Sequence, residues 1–468
     1  MKKPTKKTKK RSIEEAAMKK PKKKSEGGIE ESTMTFLDSS GVKDPRDVLD
    51  DKLSYLESVH VASMASDSPT MPTWKMCEAI FEIFRECSTL ELTMASYQLL
   101  VELNKRYPRV YVASSGKVVV VEEAWSPFVC GVEGGGLIDS SSFLLLAQDV
   151  AQALSKMESQ SLGMRCLGDM FLFQYLVKVL EGDLLPRYAV YKETSDWFMV
   201  KESLINALWV SPRVPRLTYK NLVKSCLSII SSLSHHHSES SHQHQQIADN
   251  LSSKTVHDCG AALSIAVMTQ LEDTSFAVQK FLSMIMEVDV MKKEADSQGY
   301  VSRAEGSGSS LLETILDVLT YDKDLLSPFL QVFSIPRWKL DMVLQYFSKY
   351  CKRSSVRTRR SNEVDDGTFE GVLKCFSNAT DTKAMVRKMS TEVAQLLLSH
   401  AFQAYLFLHR DNKNTAKSDD NGGEKSLLHI CKSMISAFKN IRTNEHVDMT
   451  QFEKGALFLA SKILSRNE

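Results

Sequence analysis

Apolar residues recur at helical spacing in most segments that follow residue 35. In residues 73–87 one helical face collects four large apolar side chains, which are Trp74, Cys77, Phe81 and Phe84. Residues 310–320 and 336–351 repeat this pattern, and Ser310 with Glu313 forms a capping box at the start of the former. Segments of this kind, separated by polar loops, predict an all-α protein.

Two helices are predicted in the C-terminal part of the chain. Residues 393–409 form the longest uncharged helical stretch, which is short for a bilayer and predicts a fully buried helix. We expect His400 in this helix to be a core histidine whose ring is bonded to a backbone carbonyl. The last helix is predicted to open with a capping box of Asp448 and Gln451. Its core-facing stripe is then Phe452, Ala456, Leu459, Ala460 and Ile463.

The arrangement of the helices is predicted from their number. Residues 109–123 predict a small hairpin, and no fixed repeat period orders the other segments. More than about a dozen helices in a body spanning residues 36–468 can bury their apolar faces as an irregular HEAT- or armadillo-like solenoid. A large globular bundle is the alternative. Polar composition predicts mobile loops near residues 231–256, 299–310 and 410–425.

Charge is distributed unevenly along the chain. The net charge is +1, but residues 1–24 hold twelve Lys and Arg and two Glu, so the remainder carries −9. We interpret residues 1–35 as a disordered lysine-rich tail on a mildly acidic body. Two basic clusters in the tail have the layout of a bipartite nuclear address, with a solubilising arm as the alternative. The candidate residues are Lys6, Lys7, Lys9, Lys10, Arg11, Lys19, Lys20, Lys22, Lys23 and Lys24.

Candidate chemistry is sparse in this sequence. Nine scattered cysteines without a C-x-x-C pair are typical of buried thiols in a reducing compartment, and the basic start is followed by no apolar signal segment. The histidine-rich tract at residues 235–244 is better explained as a low-complexity loop than as a metal site. Because no catalytic, phosphate-binding or dinucleotide-binding motif is present, we predict a soluble intracellular protein that is not an enzyme and has no cofactor or metal.

A basic stretch follows the predicted 336–351 helix. Lys352 and Arg353 complement the dipole at the helix terminus. Arg357, Arg359 and Arg360 lie beyond it, and across residues 349–370 acidic neighbours reduce the net charge to +2. The three arginines are candidates for contact with a partner or with DNA, and a solvated loop is the alternative.

Six segments of the chain carry a resemblance to a known family. They are "DSSGVKDPRDVLDDKLSYLESV" (38–59), "EAWSPF" (123–128), "LGDMFLFQYL" (167–176), "TYDKDLLSPFLQVFSIPRWKLDMVLQYFSKY" (320–350), "VRTRR" (356–360) and "FSNATD" (376–381). Together they resemble the plant negative regulators of systemic acquired resistance. The resemblance implies an armadillo-like nuclear protein and a counterpart of the non-SMC element six subunit of the structural-maintenance-of-chromosomes five-six complex. It also implies a helical partner subunit of the non-SMC element five type, with roles in DNA-damage repair, homologous recombination and repression of defence genes.

These observations leave three functional hypotheses. The first is a non-enzymatic nuclear scaffold that presents helical surfaces to partner subunits. The second is a chromatin protein that binds nucleic acid directly through the basic tail and the loop at residues 352–360. The third is a nuclear-import adaptor, which the few tryptophans and their spacing disfavour. We expect neither membrane association nor a small-molecule substrate.

Overall fold

A computed structural model gives the structure of the chain in segments. It describes residues 34, 37, 44–65, 70–86, 88–128, 137–156, 163–210, 215, 217–233, 258–300, 310–321, 323–351, 367–415, 421–444 and 448–466. Helix dominates these residues, which confirms the predicted all-α class. They group into two compact units, one ending at Met76 and the other beginning at Cys77.

The regular elements follow one another closely along the chain. The first are α1 (Pro45–His60), a π-helical turn (Val61–Ala65), α2 (Trp74–Glu86), α3 (Leu90–Arg106), β1 (Val110–Val112), β2 (Val118–Val120), α4 (Ser140–Ser155), α5 (Met164–Thr194), α6 (Trp197–Lys201), a second π-helical turn (Asn206–Val210), α7 (217–233) and α8 (Asp258–Ser297). They are followed by α9 (Leu311–Tyr321), a 3-10 turn (Lys323–Leu325), α10 (Leu326–Val332), α11 (Pro336–Cys351), α12 (Phe369–Lys374), α13 (Ala379–Met389), α14 (Thr391–Thr415), α15 (Asn421–Asn444) and α16 (Gln451–Ser465).

The first unit is built on α1. Pro45 occupies its first turn, where the missing N–H has no helical partner to lose. The Asp44 carboxylate accepts a hydrogen bond from the Arg46 amide at 3.1 Å and caps the helix. Tyr55 is fully buried, and its hydroxyl donates to the Met76 carbonyl at 3.0 Å. This bond ties the end of the unit to the inner face of α1.

In the second unit, α5 is the central helix of the N-terminal half. It packs against α3, α4, α8 and β1, so apolar residues lie around most of its circumference instead of on one stripe. Phe143 of α4 lies with its ring centroid 5.4 Å from that of Phe173 in α5 and 5.1 Å from that of Phe281 in α8. The aromatic cluster therefore holds three helices together.

The predicted hairpin is confirmed. Strands β1 and β2 pair antiparallel with Val110 opposite Val120. Gly116 in the turn has a φ of +74°, which a glycine adopts without a steric cost. The hairpin packs on α5 through β1.

Helix α8 links the two halves of the second unit. Toward α5, Lys280 Nζ lies 2.8 Å from the Glu181 carboxylate. Toward the segment that leads into α11, the buried Gln279 side-chain oxygen accepts a hydrogen bond from the Ser334 amide at 2.8 Å. The same helix also packs against α9. One element thus contacts the middle and the C-terminal helices.

The C-terminal half consists of α11 to α16. Helix α11 packs against α14, and α14, α15 and α16 contact one another, while α12 and α13 lie on α15. The Asn440 amide of α15 donates to the Phe376 carbonyl at 2.8 Å and fixes the turn between α12 and α13. Helices that pack mainly on near neighbours in the sequence are compatible with the predicted irregular solenoid.

Several local predictions change in the structure. The capping box at Ser310 and Glu313 forms, with both reciprocal bonds between 3.2 and 3.3 Å. The second box was predicted in the wrong register, because Thr450 is the N-cap and pairs with Glu453. The predicted loop near 410–425 is shorter, since α14 continues to Thr415 and α15 begins at Asn421. In the loop predicted near 231–256, residues 231–233 are still helical and 234–256 lie outside the described residues.

Candidate partner-binding surface

The sequence-predicted site residues fall outside the structure. All ten basic residues of the nuclear-address candidate lie in the first 33 residues, which are not described. Arg357, Arg359 and Arg360 lie between α11 and α12, in the undescribed segment 352–366. The histidine-rich tract 235–244 also lies outside the described residues. These assignments remain predictions.

The most buried ion pair of the described chain is structural. Arg187 and Asp183 of α5 are both 2% exposed, with Nε and Oδ2 3.4 Å apart. Asp183 also accepts a hydrogen bond from the Leu204 amide at 2.8 Å, and Arg187 donates to the Met199 carbonyl at 3.0 Å. Both charged side chains therefore hold the α6 segment against α5. Because they are buried and bonded, neither is accessible to a substrate.

Several other titratable groups with shifted pKa values are buried in the helical core. Burial raises the pKa of the Cys77 and Cys226 thiols to about 12, so both stay protonated and are poor nucleophiles. Burial also raises the pKa of Asp289 to about 6, yet this carboxylate accepts a hydrogen bond from the Leu311 amide at 2.6 Å. It therefore ties α8 to the start of α9 and has a structural role.

The described residues contain no group of three or more His, Cys, Asp or Glu side chains that could hold a metal ion. Among these residues no helix combines the length and the apolar character that crossing a membrane requires. The candidate binding features of the described residues are exposed faces of the helices.

His400 corrects the expectation of a core histidine bonded to a carbonyl. It is 1% exposed on α14, but within the described part of the chain neither ring nitrogen has a hydrogen-bond partner. Its ring instead stacks on Phe452 of α16, with centroids 4.3 Å apart. Burial and the nearby Lys339 ammonium lower the pKa of His400 to about 3. Because the imidazole is neutral, it can serve as a flat packing surface for α16.

Helix α16 is rotated relative to the predicted stripe. Ala456 and Ala460 face the core as expected, but Leu459 is 45% exposed and Phe452 is 37% exposed. Glu453 lies on the buried side instead, where its carboxylate accepts a hydrogen bond from the Thr450 amide at 2.8 Å and closes the capping box.

The rotation leaves an apolar and basic face toward solvent. Phe458 is 64% exposed, and the Lys462 ammonium lies 5.8 Å from the centre of its ring. Lys454 is exposed one turn before Phe458. The helix carries one acidic residue, the buried Glu453. We define the α16 face as Phe452, Lys454, Gly455, Phe458, Leu459 and Lys462.

The α16 face was missed from the sequence, although one signal was present. Leu457, Phe458 and Leu459 are consecutive apolar residues, and successive residues of a helix are about 100° apart. A single core-facing stripe cannot bury all three. At least one of them had to be exposed or covered by something outside this helix.

The charge of the chain changes sign along its length. Residues 101–335 contain 20 Lys and Arg against 27 Asp and Glu, a net charge of −7. Residues 351–468 contain 19 against 14, a net charge of +5. The α16 face thus belongs to the basic part of the chain.

Comparison with known proteins gives matches over most of the chain. The family model of the SNI1 middle domain matches residues 101–335, and that of the SNI1 C-terminal domain matches residues 351–468. A relative from Arabidopsis thaliana, the negative regulator of systemic acquired resistance SNI1, is 39% identical over 446 residues. That alignment covers 94% of this chain and 95% of the relative.

Proposed function

Because the chain belongs to the SNI1 family, we propose that it is a negative regulator of systemic acquired resistance that acts as a non-enzymatic scaffold. In this proposal it is a nuclear subunit of the structural-maintenance-of-chromosomes five-six complex and pairs with a helical subunit of the non-SMC element five type. It takes part in DNA-damage repair and homologous recombination and restrains defence-gene transcription.

The observation that carries the proposal is the end-to-end match to a protein named as a regulator of this response. The described body agrees with a scaffold, since its buried charges and shifted titratable groups hold helices together. Helical bodies of this kind present extended ridges to partner proteins. The family resemblance supports the complex and the repair role, and the two basic clusters of the tail also support the nuclear location.

The regulatory function is tested by complementation. The chain is expressed in Arabidopsis plants that lack the relative, and defence-gene transcripts are measured without and with an inducer of resistance. We expect basal transcripts to return to the wild-type level. Raised transcripts despite normal protein abundance would contradict the proposed regulation, and plants carrying the empty vector provide the control.

The scaffold function is tested by purification from plant nuclei. A tagged full-length chain is expected to bring down subunits of the complex in stoichiometric amounts at moderate salt. A tagged unrelated helical protein of similar size is the matched control. If the tagged chain rescues transcription but brings down none of the subunits, the complex is excluded and the regulatory role stands.

Direct nucleic-acid binding is a second candidate, favoured by the charge of +5 in residues 351–468 and by the basic tail. It predicts a mobility shift whose affinity falls steeply with salt. Deleting residues 1–24 and changing Arg357, Arg359 and Arg360 to Ala should weaken binding and reduce the salt slope. A wild-type chain that gives no shift at low salt would remove this candidate.

A further inference from the structure

The α16 face combines three exposed apolar side chains with a gap between them. Phe452 precedes Gly455 by three residues, and Phe458 and Leu459 follow it by three and four. Residues at these spacings are neighbours on a helix surface. A Cβ added at Gly455 would meet nothing within 4 Å. The glycine therefore forms an open notch bordered by large apolar side chains.

This geometry matches a hole for a side chain of another helix. A hole in helix packing is formed by residues i, i+3, i+4 and i+7, here Gly455, Phe458, Leu459 and Lys462. Phe452 and Leu459 border a second hole together with Gly455 and Ala456. A small residue in such a position lets a facing helix approach closely. None of the residues that the structure describes lies within 4 Å of a Cβ built at Gly455, so packing among them does not require the glycine.

The charge of the face indicates the chemistry of the helix that fits it. Lys454 and Lys462 are both exposed beside Phe458. The acidic residue of α16, Glu453, is buried and occupied in the capping box. A facing helix with acidic residues beside its apolar stripe would meet opposite charges, whereas a basic one would be repelled.

We propose that the α16 face binds an acidic amphipathic helix of a partner protein, with an apolar side chain of that helix inserted at Gly455. The inference deepens the proposed scaffold function, on which its biological meaning rests. It assigns partner recognition to the last helix, which begins with the Thr450 and Glu453 capping box and contacts α14 through the edge of the α16 face, where Phe452 stacks on His400.

The test uses fluorescence anisotropy with the full chain and a labelled designed peptide. The peptide has about three heptads, with Leu at the a and d positions and Glu at e and g, so that charge repulsion keeps it monomeric. A second peptide carries Lys at e and g. We expect saturable binding of the acidic peptide and at least about tenfold weaker binding of the basic one.

Two substitutions by Gln separate docking from folding. Gly455→Gln fills the notch and should weaken binding of the acidic peptide at least about tenfold. Ser436→Gln, at an exposed position of α15, should leave it within about twofold. Hydrogen exchange of α15 and α16 checks that both variants fold. Equal binding by wild type and a folded Gly455→Gln variant would overturn the proposal.

The remaining outcomes are also decisive. Equal binding of the acidic and basic peptides would show that charge does not select the occupant and would overturn the proposed chemistry. A dimer that forms as concentration rises and is lost in Gly455→Gln would make a second copy of the chain the occupant, again against the proposal. The Gly455→Gln variant could also fail to bind the peptide and still rescue transcription and purify with the complex. That result would support the scaffold function and show that it does not depend on the α16 face.

Discussion

The neutral His400 makes the contact between α14 and α16 sensitive to acid. Its pKa is about 3 in the folded chain and close to 6.5 when the chain is unfolded. The folded state thus binds fewer protons, so the contribution is fully present above pH ~6.5 and is lost as pH falls toward 3. At about pH 5 the unfolded imidazole is mostly protonated, and the loss amounts to about 2 kcal/mol relative to neutral pH.

The perturbation is His400→Leu, which removes the titrating group. The variant should lose about 2 kcal/mol less stability than wild type when the pH falls from about 7.5 to about 5. His429→Leu is the matched control, since that side chain is 56% exposed on α15. The comparison of wild type with the variants isolates the contribution of His400 to the free energy of unfolding. It is needed because burial raises the pKa values of Asp169 and Asp289 to about 6, so their contributions change over the same pH range in the opposite direction. Burial lowers the pKa of Lys339 to about 8, so its ammonium is mostly charged at about pH 7.5 and fully charged at about pH 5.

The assay is hydrogen exchange read by mass spectrometry on peptides from α14 and α16. A chain of this size does not unfold in one step, so a local opening free energy is more informative than a single melting temperature. Rates are corrected for the intrinsic pH dependence of amide exchange. If wild type and His400→Leu respond to acid within about 0.5 kcal/mol of each other, the imidazole is not buried in its neutral form and the reasoning is refuted.

Three further predictions concern other parts of the chain. Asp183→Ala should destabilise the fold by about 3–5 kcal/mol in urea titrations, because the buried Arg187 guanidinium keeps only the exposed Glu202 carboxylate, 3.8 Å away, as its ion-pair partner. Asp317→Ala removes an exposed ion pair and should cost less than about 1 kcal/mol. Gly455→Ala should raise stability by about 0.5–1 kcal/mol by thermal shift, while Gly299→Ala, at φ +79°, should lower it. Replacing the lysines of either cluster in residues 1–24 with Gln should shift a fluorescent fusion from nucleus to cytoplasm, and unchanged nuclear fluorescence would remove the proposed address.

The fold could be predicted where local chemistry determines it. The Ser310 box, the hairpin at Gly116 and the long amphipathic segments all depend on residues near one another in sequence. The cap of α16 could not be predicted, because Asp448 and Thr450 are both residue types that cap helices well.

The candidate site was harder to predict than the fold. Periodicity assigned Phe452 and Leu459 to the core-facing stripe, although 37% of Phe452 and 45% of Leu459 are exposed. Their exposure depends on which long-range neighbours cover the other side of α16, namely α14 and α15. His400 was correctly placed in the core, but its stacking on Phe452 depends on a contact between residues 52 positions apart. Sequence spacing alone carries no information on such contacts.

The position of α11 has a consequence for dividing this protein into fragments. Residues 336–350 lie between the two regions that the family models match. Trp338, Val343 and Phe347 of α11 are nevertheless buried, and the helix packs against α9 on one side and α14 on the other. A cut on either side of α11 would uncover apolar surface in both pieces and promote aggregation. We therefore expect the two family regions to occur together in one chain. Partner sites are better mapped by surface substitutions than by truncation.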